Sequence, residues 1–374
     1  MEHLLGVAQH FIPQGVILEI QEYGSGNVND TFLVTVGRGR PAEVPEAAAE
    51  LRFILQRLNT GVFRQPELVM ANLGIVTEHV GQRLQLQPLS PGRRFDLPRV
   101  LLTRDGRDHL RDGAGSFWRA LSFIDQAVTF DVIKDRDHGR EVGFALGLFH
   151  HLLSGLPAHL LSDTLPGFHV TPGYLRHYDQ VLAARPAPKT SEVDYCLKFV
   201  GERRAWAHVL QEAHRQGKLK TRVVHGDPKV NNVMLDSATG KAVALVDLDT
   251  VKPGLVHYDI GDCLRSGCNP LGEETEAVDE VRFEPDIGQA ILEGYLPLAR
   301  GFLTDHDRAY LYDAICVLAF ELGLRFFSDY LAGDVYFKAR HREHNLARAL
   351  VQFKLTGSIE AQAGAIAAII RDLA

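Results

Sequence analysis

The first 124 residues alternate between short apolar segments and polar turns, which is the pattern of a β-sheet. Residues 16–36 predict a strand, a glycine-containing turn and a second strand, and residues 51–59 predict a third strand. Residues 66–80 begin with a proline and carry apolar residues at helical spacing, so a helix is expected there. Residues 99–124 indicate further strands joined by Asp-Gly turns. This part of the chain is therefore predicted to be rich in strands.

Beyond that point the apolar residues follow helical spacing. Long helices are predicted over residues 137–156 and 191–219, and most of the remaining chain has the same character. Two short apolar segments interrupt it, one on each side of the polar stretch HGDPKVNN. The length of 374 residues suits two units. The pattern predicts a strand-rich lobe over residues 1–124 and a helix-rich lobe over residues 125–374.

Composition and charge narrow the class of protein. Charged residues make up 23% of the chain and hydrophobic residues 45%, as in ordinary soluble globular proteins. The net charge of −7 argues against a general nucleic-acid binder, which would carry a basic surface. The four cysteines form no CxxC pair, and the sequence contains neither a basic-headed signal segment nor an apolar run of about 20 residues. We therefore expect a cytoplasmic protein without a nucleic-acid or membrane partner, in which the Ala/Glu/Pro-rich segment 38–50 is a mobile surface loop.

The stretch HGDPKVNN, residues 225–232, has the pattern H-x-D-x-x-x-x-N. Asp227 can accept a proton from a substrate hydroxyl, and the amide oxygen of Asn232 suits Mg²⁺, which prefers oxygen ligands. Lys229 lies between them and can neutralise charge on a transferring phosphoryl group. The alternative is a polar turn whose side chains bind the local backbone.

A second acidic motif follows the first along the chain. The apolar run 243–246 predicts a strand that ends in Asp247-Leu248-Asp249. Kinases place a metal-binding carboxylate at such a strand end, after the catalytic loop. Asp247 is the predicted metal ligand, and Asp249 is either a second ligand or a substrate contact. The two motifs in this order are more specific than either motif alone.

A glycine-containing turn precedes both motifs. Gly24, Ser25 and Gly26 lie between two predicted strands, where backbone N–H groups can approach phosphates without side-chain clashes. The turn lacks the third glycine and the helix of a dinucleotide-binding turn. A plain hairpin turn is the alternative to a loop that covers ATP phosphates.

The order of these features resembles that of the protein-kinase-like phosphotransferases, in the aminoglycoside and choline kinase branch. The chain is most similar to the N-acetylhexosamine 1-kinases, through phrases that extend from about residue 20 to residue 360: FILQRLN, NNVMLD, LVDLDTVKPG, IGDCLRSG, LRFFSDYLAGDVYF and HNLARALVQFKL. The resemblance implies a two-lobed α+β fold. An antiparallel-sheet lobe over residues 1–124 would bind the nucleotide, and a mainly helical lobe over residues 125–374 would carry catalysis and substrate binding.

The resemblance also implies a reaction. The γ-phosphate of ATP would pass to the anomeric hydroxyl of an N-acetylhexosamine and give a sugar 1-phosphate. Asp227 would deprotonate the hydroxyl, with Lys229 beside it, and Asn232 and Asp247 would hold Mg²⁺. The adenine edge would meet the backbone at the lobe junction, formed by Ser122, Phe123 and Ile124.

Two late residues are candidates for the sugar site. Arg325 lies in an otherwise apolar helix, where it either pairs with Glu321 at i−4 or reaches into the cleft. In the resembled family this region contributes to the sugar pocket, which favours the cleft and makes Tyr336 a candidate to pack against the sugar. Asn27 or Asn29, in the glycine-containing turn, is a further candidate contact.

The chain departs from the kinase pattern on its third strand. Kinases carry a phosphate-binding lysine there, whereas this chain has Gln56 at the matching place and Arg57 next to it. Neighbouring strand residues face opposite sides of a sheet, so Arg57 replaces the lysine only if a bulge re-aims it. The departure favours a catalytically silent ATP-binding regulator, but the complete set of Asp227, Asn232 and Asp247 counts against one.

Small-molecule acceptors other than an N-acetylhexosamine remain as alternatives, whereas the sequence argues against a protein substrate. Asp247 and Asp259 are 12 residues apart, which leaves no room for an activation segment. His225, Asp259 and Asp262 are predicted to brace the catalytic loop. Aromatic residues suit choline, acidic residues suit an aminoglycoside, and a different sugar is the third alternative. The aromatic residues are Phe326, Phe327 and Tyr336, and the acidic residues are Asp329 and Asp334.

Overall fold

The computed structural model describes residues 2–12, 14–24, 28–37 and 51–373. The predictions for Ser25, Gly26 and Asn27 and for the loop 38–50 lie outside the described residues.

Six strands of the N-terminal part form one antiparallel sheet. The helices and strands of this part are α1 (Glu2–Gln9), β1 (Val16–Glu22), β2 (Asp30–Gly37), β3 (Leu51–Leu58), α2 (Pro66–Leu86), β4 (Val100–Leu101), β5 (Leu110–Arg111) and β6 (Phe117–Ser122). The spatial order is β1-β2-β3-β6-β4, and β5 also pairs with β6. The predicted strands, and the helix that begins at residue 66, are confirmed.

The two faces of this sheet differ in polarity. Alternate residues of a strand point to opposite faces of the sheet. One face is apolar and packs against α1, and its buried residues include Val34, Phe53, Leu55 and Ala120. The opposite face of the same strands includes the cross-strand pair Gln56 and Arg119. That second face forms a wall of the candidate site.

The rest of the chain is mainly helical. Its helices are α3 (Arg136–Leu153), α4 (Thr171–Ala184), α5 (Ser191–Arg203), α6 (Val209–Arg215), α7 (Val256–Gly267), α8 (Pro285–Ala299), α9 (Asp305–Ala309), α10 (Leu311–Ala332), α11 (His344–Ala361) and α12 (Ala363–Leu373). Within the described ranges, none of the helices has the length and apolarity needed to cross a membrane. The predicted α+β composition, with an antiparallel sheet followed by helices, is confirmed, and the lobe boundary at residue 124 stays a prediction.

The prediction of one continuous helix over residues 191–219 was wrong. Helix α5 ends at Arg203, a 3₁₀ segment covers Arg204–His208, and α6 follows. In the 3₁₀ segment Trp206 packs edge-to-face on Phe320, with ring centroids 6.4 Å apart, and Ala207 is fully buried. Tertiary packing of this kind outweighs the helical pattern of a short segment.

Short strands among the helices position the two polar motifs. They are β7 (Ala127–Val128), β8 (Arg222–Val224), β9 (Val233–Asp236), β10 (Ala242–Leu245) and β11 (Lys252–Gly254). They form two small antiparallel sheets, ordered β10-β9-β7 and β11-β8. Residues 225–232, the catalytic loop, connect β8 to β9, and residues 246–251, the metal loop, connect β10 to β11. Because both connections run between the same two sheets, the two motifs lie side by side.

Glycines bring α3 and α8 into close contact beneath these sheets. A Cβ atom at Gly143 of α3 would lie 1.9 Å from the carbonyl oxygen of Ile291. A Cβ atom at Gly294 of α8 would lie 2.0 Å from the carbonyl oxygen of Arg140. The two backbones therefore meet at a separation that only glycine permits.

We expect Gly143→Ala to lower the free energy of unfolding, because the added methyl group must push α3 and α8 apart. Overpacking of a core typically costs about 1–3 kcal/mol. The matched control is Gly201→Ala, at an exposed position of α5 where the added Cβ would meet nothing within 4 Å beyond the local backbone of its own helix. The control is expected to leave stability unchanged or to raise it by up to about 1 kcal/mol. Chemical denaturation compares the variants, and a Gly143→Ala protein as stable as the wild type would contradict the close contact.

Candidate active site

The catalytic loop begins with a sharp turn at Gly226. Its φ is +87°, a conformation that residues with a Cβ rarely adopt. A Cβ atom there would also lie 2.7 Å from the carbonyl oxygen of Thr250 in the metal loop. The glycine that replaces the arginine of protein kinases at this place is thus required by backbone conformation and by close packing.

Asp259 of α7 fixes the start of the catalytic loop. Its carboxylate accepts the backbone N–H groups of His225, at 2.6 Å, and Gly226, at 2.8 Å. The Nε2 atom of His150 lies 2.8 Å from the same carboxylate. Burial raises the pKa of Asp259, but the bond and charge of His150 outweigh it and the net pKa is lowered. Asp259 therefore remains ionised, and its predicted bracing role is confirmed.

His225 joins the catalytic loop to the metal loop. Its Nε2 lies 2.9 Å from the carbonyl oxygen of Val246, and its own carbonyl oxygen accepts the hydroxyl of Thr250 at 2.8 Å. The predicted bracing role of His225 is confirmed. Asp262 instead accepts a hydrogen bond from Arg265 and makes none to the catalytic loop within the described residues, so that prediction was wrong.

Three side chains of the catalytic loop converge. The Nζ of Lys229 lies 3.1 Å from Oδ2 of Asp227. The amide nitrogen of Asn232 donates to the backbone oxygen of Asp227 at 2.6 Å and to its carboxylate at 3.2 Å. With the nitrogen so engaged, the amide oxygen of Asn232 is the atom available to a metal. The Asp227 carboxylate raises the pKa of Lys229 against the opposing effect of burial, so the ammonium remains charged.

Asp247 has a strained backbone at the start of the metal loop. Its φ of 61° and ψ of 57° are left-handed, which is uncommon for a residue with a side chain and is found at functional sites. The turn places Asp247 in the wall of the cavity, to which its side chain is exposed. Desolvation by the surrounding protein, followed by the charges of Asp249 and Asp227, raises the pKa of Asp247.

The oxygens of Asn232 and Asp247 fit Mg²⁺. In the described part of the chain, no three His, Cys, Asp or Glu side chains are grouped to enclose a metal by themselves. Mg²⁺ does not need such a group, because it commonly binds one or two protein ligands and completes its shell with water and substrate phosphates. The donor set suits a metal that arrives with a nucleotide.

A cavity of about 810 Å³ joins these loops to the sheet. Its volume is in the range of small-molecule sites, roughly 300–1,000 Å³. Eleven of the residues predicted for the site line it: Gly24, Asn29, Gln56, Ser122, Phe123, Ile124, Asp227, Lys229, Asn232, Asp247 and Asp249. The structure therefore brings the predicted nucleotide, metal and catalytic residues together around one space.

The cation of the sheet wall is Arg119, which sequence reasoning missed. Arg119 is the cross-strand neighbour of Gln56 and lines the cavity. Arg57 is excluded as the substitute cation, because the strand pairing has no bulge there and its side chain binds Asp30 at 2.7 Å, away from the cavity. The signal in the sequence was a single charged residue in the strand FWRALS, which is otherwise apolar up to its last residue.

Asp249 lines the cavity but its carboxylate is engaged. Its Oδ2 accepts a hydrogen bond of 2.7 Å from the amide of Asn29. Its Oδ1 lies 2.5 Å from Nη2 of Arg119. Asp249 thus links the metal loop to the sheet. A direct contact of Asp249 with a substrate stays a prediction.

Arg325 and Tyr336 lie outside the residues that line this cavity. Arg325 does not pair with Glu321, whose carboxylate binds His169 at 2.8 Å and Thr171 at 2.6 Å, so the i−4 pairing was wrong. Tyr336 is 60% exposed, in the loop after α10. Neither position tests the predicted contact with a sugar.

Aromatic rings surround the guanidinium of Arg325. The ring centroids of Phe168, Tyr174 and Phe337 lie 5.1, 5.1 and 5.3 Å from its Cζ. Burial lowers the pKa of Arg325, but the neighbouring hydroxyl and carboxylate groups, Asp227 among them, outweigh it and raise the pKa. Arg325 therefore remains a charged group.

Comparison with known proteins extends this description. The profile of the phosphotransferase enzyme family (APH) matches residues 19–298. The chain is similar to the structure of a microcompartment-associated aminopropanol kinase, at 15% identity and a TM-score of 0.63, with 98% of both chains covered. It is also similar to choline kinase from Cryptosporidium parvum, at 13% identity and a TM-score of 0.60, with 98% of both chains covered.

A third similar structure is the GDP and kanamycin complex of an APH(2″) enzyme, at 13% identity and a TM-score of 0.52. That match covers 89% of this chain and 92% of the other. At such low identities the structures establish a shared fold, and the predicted two-lobed protein-kinase-like architecture is confirmed. Because the family profile spans most of the sequence, the chain belongs to the phosphotransferase enzyme family.

Proposed function

We propose that the protein is a small-molecule kinase that transfers the γ-phosphate of ATP to the anomeric hydroxyl of an N-acetylhexosamine. The observation that carries the kinase part is the convergence of Asp227, Lys229, Asn232 and Asp247 on one cavity. The sugar part is supported by the resemblance to N-acetylhexosamine 1-kinases and by the charge around Arg325.

The chemistry needs one base and several fixed charges. Asp227 accepts the proton of the acceptor hydroxyl, a bond forms between that oxygen and the γ-phosphorus, and the bond from the γ-phosphorus to the ADP oxygen breaks. An anomeric hydroxyl is more acidic than an ordinary alcohol, so an aspartate is an adequate base. Lys229 neutralises charge beside the reacting group, and positioning supplies much of the rate in such reactions.

Asn232 and Asp247 would hold Mg²⁺, which supplies charge neutralisation on the phosphates. The segment Ser122, Phe123 and Ile124 begins at the last residue of β6 in the cavity wall, where it suits the adenine edge. The similar APH(2″) structure contains GDP, which supports nucleotide binding by this fold. Gly24 at the same cavity is the described part of the turn proposed to cover the phosphates.

Three side chains support a neutral acceptor over a cationic one. Arg325 already occupies the aromatic group that would cage a quaternary amine such as choline, and its charge would repel one. Asp329 accepts three backbone N–H groups, from residues 335–337, and Asp334 accepts the amide of Asn345. The carboxylates that were candidates to bind an aminoglycoside are thus engaged. A neutral polyol acceptor, such as an N-acetylated sugar, fits better than a cationic one.

The first test is a panel of acceptors with Mg²⁺ and ATP: N-acetylglucosamine, N-acetylgalactosamine, glucose, galactose, choline and kanamycin. We expect ADP release with an N-acetylhexosamine, and phosphorus–proton correlation NMR should place the phosphate on the anomeric oxygen. Phosphate on O6, or turnover of the cationic acceptors alone, would contradict the proposal.

The second test is Asp227→Asn, with the acceptor that proves active. Loss of the base is expected to lower kcat by about 10²–10⁴-fold. ATP affinity, measured by calorimetry, should stay close to the wild-type value because the base acts on the acceptor. Retention of full kcat would remove Asp227 as the base.

The third test is Arg325→Met, which keeps the side-chain length and removes the charge. We expect the KM for the sugar to rise by about 10–100-fold, as for loss of a hydrogen bond from a charged group, with the KM for ATP unchanged. Arg204→Met is the matched control, because Arg204 forms a surface ion pair with Asp179. An unchanged KM for the sugar in Arg325→Met would exclude Arg325 from acceptor binding.

A further inference from the structure

A row of polar side chains crosses the sheet face above the catalytic and metal loops. Thr31, Gln56 and Arg119 are directly opposite one another on β2, β3 and β6. All three line the cavity. Gln56 donates from its amide nitrogen to the Thr31 hydroxyl at 3.0 Å. That bond turns the amide oxygen of Gln56 towards Arg119.

Gln56 orients the guanidinium of Arg119. Its amide oxygen accepts from Nε at 3.0 Å and from Nη2 at 2.7 Å. Nη1 is buried and has no hydrogen-bond partner among the described residues. The side chain of Arg119 is only 2% exposed. A buried, oriented guanidinium therefore presents one nitrogen with no protein acceptor in the described part of the chain.

The ion pair with Asp249 does not satisfy this arginine. Nη2 lies 2.5 Å from Oδ1 of Asp249, but no donor in the described ranges makes an aligned hydrogen bond to that oxygen. A structural buried ion pair requires good geometry and further hydrogen bonds for the remaining donors and acceptors. Here Nη1 of Arg119 remains a donor without a partner among the described residues. Such a donor on a residue that lines a cavity is suited to an anionic ligand.

In protein kinases, a glutamate of the helix after the third strand pairs with the phosphate-binding lysine. No acidic residue of α2 forms such an ion pair with Arg119. Glu67 binds Arg111 at 2.5 Å, and Glu78 accepts from Gln82 at 3.2 Å. The counter-ion of Arg119 comes from the metal loop instead, at Asp249. The cation of the sheet is thus tied to the loop that carries Asp247.

We propose that Arg119 binds the non-transferred phosphates of the nucleotide, in place of the third-strand lysine of other kinases. The cation has moved one strand across the sheet, from β3 to β6, at the same register, and Gln56 has become its positioning residue. A guanidinium offers a planar set of donors that suits phosphate oxygens. This inference rests on the proposed function only in assuming that the cavity binds ATP.

Nucleotide binding by the full-length protein tests the proposal without an acceptor sugar. Calorimetry with Mg²⁺ measures the affinities for ATP, ADP and adenosine in the wild type and three variants. In Arg119→Met we expect ATP and ADP to bind about 10–100-fold more weakly and adenosine to bind as before, because adenosine lacks phosphates. Arg119→Lys should recover part of the loss. Arg57→Gln is the matched control, one residue along β3 on the opposite face, and should match the wild type.

A double variant provides a gain-of-function test. Gln56→Lys combined with Arg119→Gln returns the cation to the third strand, and we expect it to bind ATP more tightly than Arg119→Gln alone. This test stays decisive if Arg119→Met fails to fold. Equal ATP affinity in Arg119→Met and the wild type would overturn the proposal, as would equal weakening of ATP and adenosine. A wild-type protein that binds no ATP would instead overturn the proposed function.

Discussion

The hydrogen bonds from the backbone of His225 and Gly226 to the buried carboxylate of Asp259 are the constraint on which the site depends. They fix the first turn of the catalytic loop. The side chain of His225 also bonds to the carbonyl oxygen of Val246, which holds the metal loop against that turn. The left-handed Gly226 then allows Thr250 to approach to a distance that no other residue would permit. Asp227 and Asp247 keep their relative positions because the two loops are joined by short hydrogen bonds rather than by side-chain packing alone.

Charge balance follows from this arrangement. Among the charged residues that line the cavity, the carboxylates of Asp227, Asp247 and Asp249 lie on the catalytic and metal loops, with Lys229 and Arg119 beside them. The cations engage Asp227 and Asp249, so Asp247 is the carboxylate with the least compensation. Desolvation by the surrounding protein raises its pKa, and the charges of Asp249 and Asp227 raise it further. A divalent cation at Asp247 would relieve this repulsion, which gives a physical reason for the site to bind metal and nucleotide together.

The sequence allowed some of these features to be predicted and not others. The meeting of Asp227, Asn232 and Asp247 was predictable, because both motifs follow short apolar strands at a spacing that kinases share. The role of Arg119 was not, because it depends on which strand lies beside β3, and strand order is not visible in local spacing. The sequence did contain one hint, since a lone arginine in an apolar strand requires a partner.

Spacing along the sequence also gave a wrong expectation on helix α10. Glu321 and Arg325 have the spacing of an ion pair, yet Glu321 is held by His169 and Thr171, which precede it by about 150 residues in sequence. A hydrogen-bonded buried carboxylate has little to gain from a further partner, and Arg325 is left to the aromatic rings. The position of Arg325 among these rings bears on the choice of acceptor. Under the proposed function, the charge of Arg325 would favour acceptors that bring hydroxyl or carbonyl oxygens over those that bring an ammonium group.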